Sequence, residues 1–477
     1  MKRLHSWSVL LLATFLVVRF ASSVATQGKD AAKKGVEVIP GPDVSWSLAA
    51  AGDAIMNRRL MPFDNDTDPR FREMVKVIKG ADAGFLNLEQ SLFRQSEFKG
   101  WAEVENGGNY EVGPPEVALD LKAMGFTMVN RANNHTTDYG VEGLRVTDKW
   151  LDEVGIVHAG TGMNLGQASR PGYLDTAKGR IALVGFATTF TNMSRAGAAR
   201  NDMPGRPGLN PLRVNRRYEV DAATFAALKA AAPNRSESSG ERAENAPLRM
   251  FGATIHEGPE TRVVETLNKE DEDRILREIK NAAQMADFVI VTSHSHEPGN
   301  DSRVPPAWMK EFTHKCIDAG AVAYIIHGPH QLRGVEIYKG RPIFYSLGNF
   351  VFHNETIDPM PADYYEGFNL SDNALSADVY DARFKNGTTG FPSAPWWYQT
   401  ILAVPSFRGT QLTEIKMYPV DLQWKAPRSQ RGSPRLAAGQ TQKDIIERMT
   451  KMSSDLGTTL ASENGVLMWR PGSRASQ

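Results

Sequence analysis

The chain has little that would support a disulfide framework or a long-range electrostatic field. Cys316 is the only cysteine among 477 residues, so no internal disulfide can form, and its spacing from Trp308 and Phe312 predicts a packing role in a helix. Basic and acidic side chains balance at 55 each, which leaves a formal net charge of zero. Without a basic field to attract polyanions over a distance, nucleic acid is not an expected partner.

Long hydrophobic runs are also missing, except near the N-terminus. Lys2 and Arg3 precede a mostly apolar run over residues 7–18, which is shorter than the ~20 residues that a membrane-spanning helix needs. The small residues at Ser23–Ala25 suit cleavage by signal peptidase. We predict a signal peptide over residues 1–25 and an exported protein, periplasmic or extracellular; the alternative is an uncleaved membrane anchor.

The rest of the chain has the composition of a soluble globular protein, with 41% apolar and 23% charged residues. Strand and helix patterns alternate, which predicts an α/β fold with a sheet covered by helices on both faces. We expect a linker over residues 26–42, a main domain over 43–425 and a C-terminal extension with a helix over 426–477. Two irregular insertions, at about 201–259 and 358–393, are expected at the surface, and the first of them to overhang the site.

Polar side chains follow the ends of one predicted strand after another. The strand over 46–51 ends in Gly52 and Asp53, and the strand over 85–88 is followed by Glu89. Because the carboxyl ends of parallel strands meet at one edge of a sheet, these side chains are expected to lie together. The polar residues at such ends are Asp53, Asn87, Glu89, Asn134, His135, Asp138, His158, His294, His296, His327 and His330.

Histidines are concentrated at these ends, where six of the ten lie. His327 and His330 flank a Gly-Pro turn after the apolar strand 323–326, so both imidazoles can reach one point. A surface turn that carries two histidines is the plainer interpretation of this pair alone, but the same arrangement recurs upstream. His158 can equally be a core group, and we keep it outside the ligand set.

Imidazole and oxygen ligands without thiolates suit Zn, Mn or Fe better than Ca or Mg. Six or seven of them exceed the needs of one tetrahedral ion, so the sequence predicts two divalent transition-metal ions. Such a pair can hold a phosphate or acyl group and activate a water molecule. The predicted ligands are Asp53 as a terminal ligand, Glu89 as the bridge, Asn134 and His330 on one ion, and His294 and His327 on the other.

Other polar residues are predicted to act on the substrate. His135 is the candidate that protonates the leaving group. Arg333 is placed to hold a carboxylate or phosphate, although a solvated charge is the commoner role of a single arginine. The predicted substrate-binding set is Asn87, Asp138, His296 and Arg333.

Five motifs, in order, resemble those of the CapA family of bacterial capsule or poly-γ-glutamate synthesis proteins: GDAIM, FLNLEQSL, NRANNHTTDYG, VTSHSHE and IIHGPHQLRGVEIYKGRPIFYSLGNF. The similarity covers about Ser45 to Phe352. That family resembles the calcineurin-like metallophosphoesterases in fold. The resemblance implies a four-layer α/β/β/α sandwich and a role in making or exporting an anionic, γ-linked glutamate polymer at the cell envelope.

The phosphoesterase motifs carry over only in part. Ile55 stands where those enzymes have a second histidine ligand in their first motif. Their bridging aspartate corresponds to Glu89, or to Asn87 in a register one step different. Asn134 and His135 match their Asn-His pair, while His327-Gly328-Pro329-His330 replaces their closing Gly-His-x-His with one extra residue between the histidines.

The sequence leaves three functions open. The first is an envelope protein of capsule or poly-γ-glutamate synthesis or export that hydrolyses a phosphoester, or less readily a γ-glutamyl amide, at a di-metal site. The second is a non-catalytic accessory that binds the polymer and assists export. The third is a structural envelope protein with a vestigial site. The expected partners are an anionic polymer or phosphoester substrate and membrane synthase or export proteins.

Overall fold

The computed structural model describes residues 43–61, 68–103, 108–231, 247–250, 252–371 and 373–472. The predicted signal peptide (1–25), the linker (26–42) and a polar loop expected at 234–245 lie outside the described residues. Among the described helices, none combines the length and the hydropathy required to cross a bilayer.

Strands run through the whole described chain. In the first half they are β1 (Ser45–Ile55), β2 (Ala83–Leu88), β3 (Ser91–Leu92), β4 (Val112–Gly113), β5 (Met128–Asn130), β6 (Val157–Ala159), β7 (Thr161–Gly162), β8 (Gly172–Thr176), β9 (Gly179–Ala187), β10 (Gly208–Leu209), β11 (Val214–Val220), β12 (Leu248–Met250), β13 (Ala253–Glu257) and β14 (Arg262–Leu267). In the second half they are β15 (Phe288–His294), β16 (Ala323–His327), β17 (Val335–Tyr338), β18 (Arg341–Phe344), β19 (Asn349–Phe352), β20 (Gln399–Arg408), β21 (Gln411–Asp421), β22 (Arg435–Leu436), β23 (Ala461–Glu463) and β24 (Val466–Trp469).

Helices connect these strands. They are α1 (Pro69–Lys79), α2 (Glu116–Met124), α3 (Gly140–Val154), α4 (Leu165–Ser169), α5 (Ala222–Ala231), α6 (Lys269–Met285), α7 (Ala307–Asp318), α8 (Ala362–Gly367), α9 (Ser376–Arg383) and α10 (Gly439–Ser454). Short 3-10 turns lie at Phe391–Ser393 and Pro395–Tyr398.

Helix boundaries follow local chemistry. Asn268 caps α6 by accepting a hydrogen bond from the Asp271 backbone N–H, and three acidic residues in the first turn complement the helix dipole. Helix α2 ends at Gly125, whose φ of 109° is a conformation that side-chain-bearing residues rarely adopt.

Two large sheets carry the fold. The first has the order β23-β24-β21-β20-β1-β2-β5-β6, with β19 beside β1 and β22 beside β21. Its strands β1, β2, β5 and β6 are parallel, as are β9, β15, β16 and β18 of the second sheet, which has the order β17-β18-β16-β15-β9-β8. Parallel strands are covered on both faces, which explains their almost continuous apolar runs. The predicted α/β class is confirmed.

Three apolar cores hold the sheets and helices together. One contains residues of both sheets, including Leu48 and Phe85 of the first and Ile290 and Ile325 of the second. Another packs α1, α2 and α3 against the outer side of β1 and β2. A third packs α6 and α7 on the second sheet and includes Cys316, which is fully buried.

The region expected as an irregular insertion at 201–259 contains regular structure. Strands β11, β12 and β13 form a four-stranded sheet with β14, in the order β12-β13-β11-β14. Its side chains are largely exposed, including Arg216 and Arg217 on β11 and Val263 on β14. Because little of this sheet is buried, its sequence lacks the apolar alternation by which a strand is identified.

The stretch 426–477, predicted to be an extension with a helix, contains α10 and three short strands. Strand β24 pairs with β21 and β22 pairs with β21 as well, so this stretch adds to the first sheet. Ser453 of α10 accepts a hydrogen bond from the Val335 backbone N–H, which ties the helix to β17.

Candidate metal centre

The carboxyl ends of the parallel strands bring the candidate residues together. In the first sheet Asp53 lies beside Asn87, which lies beside Asn130. In the second sheet His294 lies beside His327. Polar residues from chain segments hundreds of positions apart therefore meet at one edge, as the sequence predicts.

Asp53 is fully buried and fixed on both oxygens. Its Oδ1 accepts a hydrogen bond from Asn87 Nδ2 at 2.8 Å and its Oδ2 from the Gly328 backbone N–H at 3.1 Å. Burial alone would raise the pKa of Asp53, but its interactions with His294, His327 and His330 outweigh burial and lower that pKa. Asp53 is therefore an anion at neutral pH.

The backbone beside Asp53 allows no side chain. A Cβ atom at Gly52 would lie 1.9 Å from the Gly348 carbonyl oxygen, to which the Asp53 N–H donates a hydrogen bond of 2.9 Å. Gly52 thus permits the close approach of the segment before β19, which sets the position of the carboxylate.

Glu89 is fully buried, and neither of its carboxylate oxygens makes a hydrogen bond with the residues that the structure describes. His294 Nε2 lies 3.4 Å from Glu89 Oε1, and His330 Nε2 lies 3.8 Å from it. Burial and the charges of Asp53, Glu111 and Asp138 raise the pKa of Glu89 well above its usual range. A buried carboxylate without donors is costly unless a cation lies beside it.

Two groups of side chains have the spacing of metal ligands, and Glu89 belongs to both. Asp53, Glu89 and His294 form one group, and Glu89, His296 and His330 form the other, with ligand atoms within 4.8 Å of one another in each. Imidazole with carboxylate is a donor set that fits Zn, Mn or Fe. A carboxylate shared by two such groups has the position of a bridging ligand.

His330 has the tautomer and the orientation of a ligand. Asn349 Nδ2 donates to the carbonyl oxygens of His330 and Trp397, so Asn349 Oδ1 is left as an acceptor and takes the His330 Nδ1–H at 2.8 Å. The lone pair on His330 Nε2 then faces Glu89. Fixing one ring nitrogen by an outer hydrogen bond is a common way to orient a metal-binding histidine.

His296 is held by an outer amide oxygen in the same way, whereas His294 Nδ1 lies 3.1 Å from the amide nitrogen Nδ2 of Asn87. His296 Nδ1 lies 2.7 Å from Asn300 Oδ1, and its Nε2 lies 3.0 Å from His294 Nε2. Burial lowers the pKa of His294 to about 3 and that of His330 to about 4, so both rings are neutral near pH 7.

The backbone conformation of His330 is unusual. His330 has a φ of 56°, in the left-handed region that residues with a side chain rarely occupy. Such a conformation costs on the order of 1 kcal/mol and is concentrated at functional sites. It turns the His330 ring toward Glu89, whereas His327 points into the fold.

His327 is placed differently from the prediction. Its Nε2 lies 3.0 Å from the Ala51 carbonyl oxygen and its Nδ1 lies 3.4 Å from Thr292 Oγ1. Its ring packs edge-on against Phe85. Since a nitrogen that donates to a carbonyl has no lone pair for an ion, the structure puts His296 among the possible ligands and leaves His327 outside them.

His135 and Asp138 form a buried pair, with His135 Nδ1 2.7 Å from Asp138 Oδ2. That carboxylate also accepts a hydrogen bond from the Glu111 backbone N–H at 2.7 Å. Asp138 therefore orients His135, whereas the sequence predicted that Asp138 contacts the substrate.

Asn134 Oδ1 lies 3.4 Å from His296 Nε2, at the edge of the second ligand group.

Asn87 was also predicted to bind substrate, and the structure gives its amide another use. Asn87 Oδ1 accepts hydrogen bonds from Asn130 at 2.9 Å and from Asn133 at 3.4 Å, while Nδ2 donates to Asp53. With both ends of the amide engaged, Asn87 positions the Asp53 carboxylate.

His158, which we kept outside the ligand set, lies 3.2 Å from Asp152 on α3.

Arg333 is not a substrate contact in this arrangement. Its guanidinium is buried and donates to the carbonyl oxygens of Glu297, Gly299 and Ser302 at 2.9 to 3.2 Å. Burial lowers its pKa to about 10. Arg333 therefore fixes the loop that carries Asn300 behind His296.

Several residues of this site were missed by the sequence reasoning. Asn349, Asn300 and Asn130 each hold a candidate ligand or its neighbour. Asn349 lies within the SLGNF motif, so the signal was in the sequence. An amide that supports a ligand looks, in sequence, like any surface asparagine.

Comparisons with known proteins agree on one family. The family described as "Bacterial capsule synthesis protein PGA_cap" matches residues 47–354, which contain every candidate ligand. An uncharacterized protein of Sinorhizobium fredii, y4sH, is 40% identical over 88% of this chain and 92% of its own length. The capsule biosynthesis protein CapA of Bacillus anthracis is 26% identical over 64% of this chain and 59% of its own length. The PGA biosynthesis protein CapA of Bacillus subtilis is 29% identical over 59% and 60%.

Proposed function

This chain belongs to the bacterial capsule synthesis PGA_cap family, and from that premise we propose that it assists the synthesis or export of poly-γ-glutamate and hydrolyses a phosphoester at a centre of two divalent transition-metal ions. Mn, Zn and Fe are the candidate ions. The substrate is a phosphoester linked to the making or export of the polymer.

The shared position of Glu89 carries the proposal. Its carboxylate is common to the group with Asp53 and His294 and the group with His296 and His330. Neither carboxylate oxygen makes a hydrogen bond with the described residues. A single ion would satisfy one of the two groups. A pair of ions supplies Lewis acidity for a phosphoryl oxygen and an activated water nucleophile.

The surrounding residues have separate tasks in this reaction. Asp53, Glu89 and His294 would hold one ion, and Glu89, His296 and His330 would hold the other, with Asn134 at its edge. His135 delivers a proton to the leaving oxygen from Nε2, because Asp138 holds its Nδ1. His135 is close enough to the centre for its charge to lower the pKa of His330.

The order of layers supports a phosphoesterase-like reaction. We propose that the core between the two sheets and the two outer cores under the helices correspond to the α/β/β/α sandwich of the calcineurin-like metallophosphoesterases. In that sandwich the ions lie at the carboxyl ends of the parallel strands, which is where the candidate ligands of this chain converge.

A non-hydrolytic accessory role is the second candidate. Ile55 replaces the second ligand of the first phosphoesterase motif, and it is buried in the core under α1 and α2. With that ligand replaced, the centre would retain ions for binding a phosphate or carboxylate without cleaving it. In either role the protein acts at the cell envelope, exported by its N-terminal segment, beside membrane synthase or export proteins.

Metal content and hydrolysis together test the proposal. The protein, purified without chelator, should contain up to two transition-metal ions per chain by elemental analysis and should hydrolyse a phosphomonoester or phosphodiester from a panel. Metal without hydrolysis would support the accessory role. Protein that contains no transition metal, and whose unfolding temperature ignores added Mn²⁺ or Zn²⁺, would contradict both.

A further inference from the structure

A second region outside the metal centre has the character of a binding site. A cleft of about 250 Å³ opens between residues 303–310 and helix α10. Its charged lining consists of Arg303, Lys310, Arg448, Lys451 and Asp455. Four cations against one carboxylate leave an excess of three positive charges, in a chain whose overall formal charge is zero.

The positive charges of the cleft are poorly compensated by the protein. Lys451 Nζ lies 3.2 Å from Asp455 Oδ2. Arg448 is half-buried and donates to the amide oxygen of Gln399 and to the Asp444 carbonyl. Among the described residues, no carboxylate lies within ion-pair distance of Arg303, Lys310 or Arg448.

The two arginines also act on each other. Burial and then the charge of Arg303 lower the pKa of Arg448 to about 10, and the charge of Asp444 opposes them only in part. An anion seated between them would relieve this repulsion and would itself be held by two guanidinium groups.

Apolar groups lie beside the cations. Val304, Met452 and Leu456 line the cleft, and Val304 is 70% exposed. Arg303 lies over the ring of Trp396, 6.0 Å from its centroid, which adds an exposed aromatic surface beside the opening. A lining that mixes cations with apolar surface suits a chain that carries both carboxylates and methylene groups better than a small, purely polar anion.

The cleft is connected to the metal centre by a short, fixed segment. Asn300, which holds His296, lies three positions before Arg303, and Arg333 fixes the intervening carbonyls. Arg303 lies seven positions after His296, so their Cα atoms cannot be more than about 25 Å apart. A polymer held in the cleft would lie near the centre.

We propose that this cleft binds a carboxylate-bearing polymer segment, of the γ-linked glutamate type, through the cations contributed by Arg303 and helix α10. The proposal rests on the proposed function for the identity of the polymer. It does not depend on ions or on hydrolysis, because its residues are separate from the metal ligands.

Binding of labelled poly-γ-glutamate to the full chain tests this site. The double variant Arg303→Gln/Lys451→Gln should weaken binding about tenfold in fluorescence anisotropy, because two charges at the opening are lost. Lys443→Gln is the matched control, since Lys443 lies on the same helix but does not line the cleft; its affinity should stay within about twofold of the parent.

Polymer binding is measured in the presence of EDTA, so that the result does not depend on whether the protein binds metal ions. If the double variant and the Lys443→Gln control bind labelled poly-γ-glutamate with equal affinity, the proposed binding site is wrong. Competition by polyphosphate but not by unlabelled poly-γ-glutamate also overturns it, in favour of a phosphate-bearing ligand. Arg448→Gln, checked for a native unfolding curve, should weaken binding at least as much as Lys451→Gln alone; unchanged affinity would contradict the role of the buried cation.

Discussion

The candidate metal centre and the basic cleft differ in how firmly their side chains are held. In the centre, buried carboxylates and neutral imidazoles are each held by a further amide or backbone group, as Asn349 holds His330 and Asn87 holds Asp53. In the cleft, long cationic side chains stand at the surface with few partners. The first arrangement fixes atoms within a fraction of an ångström, whereas the second adapts to a flexible ligand. The difference is consistent with our two proposals, in which chemistry and polymer capture are separate tasks.

The largest expected effect comes from removing the charge that both ligand groups share. Glu89→Gln should lower phosphoester hydrolysis by about a thousandfold or more and reduce the metal content measured by elemental analysis. In the parent protein, Mn²⁺ at a hundred times its Kd should raise the free energy of unfolding by about 3 kcal/mol. The variant should lose this gain while its binding of labelled polymer is retained.

Glu97→Gln is the control for this variant, because Glu97 is an exposed glutamate from the same part of the chain, with 65% of its side chain accessible. If Glu89→Gln kept its full complement of metal, the bridging role of Glu89 would be wrong. If it lost polymer binding as well, the two regions would not be independent.

The next effect separates proton delivery from ion binding within the centre. His135→Gln should slow hydrolysis by about a hundredfold to ten-thousandfold for substrates with an alkoxide leaving group, because His135 protonates that group. The loss should be much smaller for a nitrophenyl ester, whose leaving group needs no proton. Elemental analysis should find the metal content unchanged. An equal loss for both kinds of substrate would show that His135 is not the proton donor.

A smaller effect distinguishes the two histidines whose roles differ from the prediction. His296→Ala should weaken metal affinity about a hundredfold with little change in the stability of the metal-free protein. His327→Ala should leave metal affinity within about threefold but lower the free energy of unfolding by about 3 kcal/mol, because it removes the packing against Phe85 and the hydrogen bond to Ala51. Chemical denaturation and metal titration of both variants provide the measurements, and the reverse pattern would restore His327 as the ligand.

Much of this fold was predictable because its strands are buried and its helices carry local end signals. The structure brings Asp53, Glu89 and His294 together, and each of them was singled out in the sequence because it follows a predicted apolar strand. The four-stranded sheet around β11 was not predicted, since its exposed strands carry arginine where a buried strand carries valine or isoleucine.

The roles of individual side chains were less predictable than their neighbourhood. His294 and His327 occupy paired positions on adjacent strands. His327 nevertheless lies next to the carbonyl oxygen of Ala51, two residues before Asp53, whereas His294 lies next to the Asp53 carboxylate. The spacing of residues along one strand does not report which residue of another sheet lies opposite. The left-handed turn at His330 is equally invisible in sequence, because it depends on the contacts around it.

The clamp formed by Arg333 restricts which replacements this chain can accept. Three main-chain oxygens at different places on one loop are satisfied by a single flat group with several N–H bonds. A lysine would preserve the charge, but its donors all start from one nitrogen and cannot occupy the three separate positions that Nε, Nη1 and Nη2 of Arg333 take. Any other residue at this position would therefore require new donors for the same three oxygens.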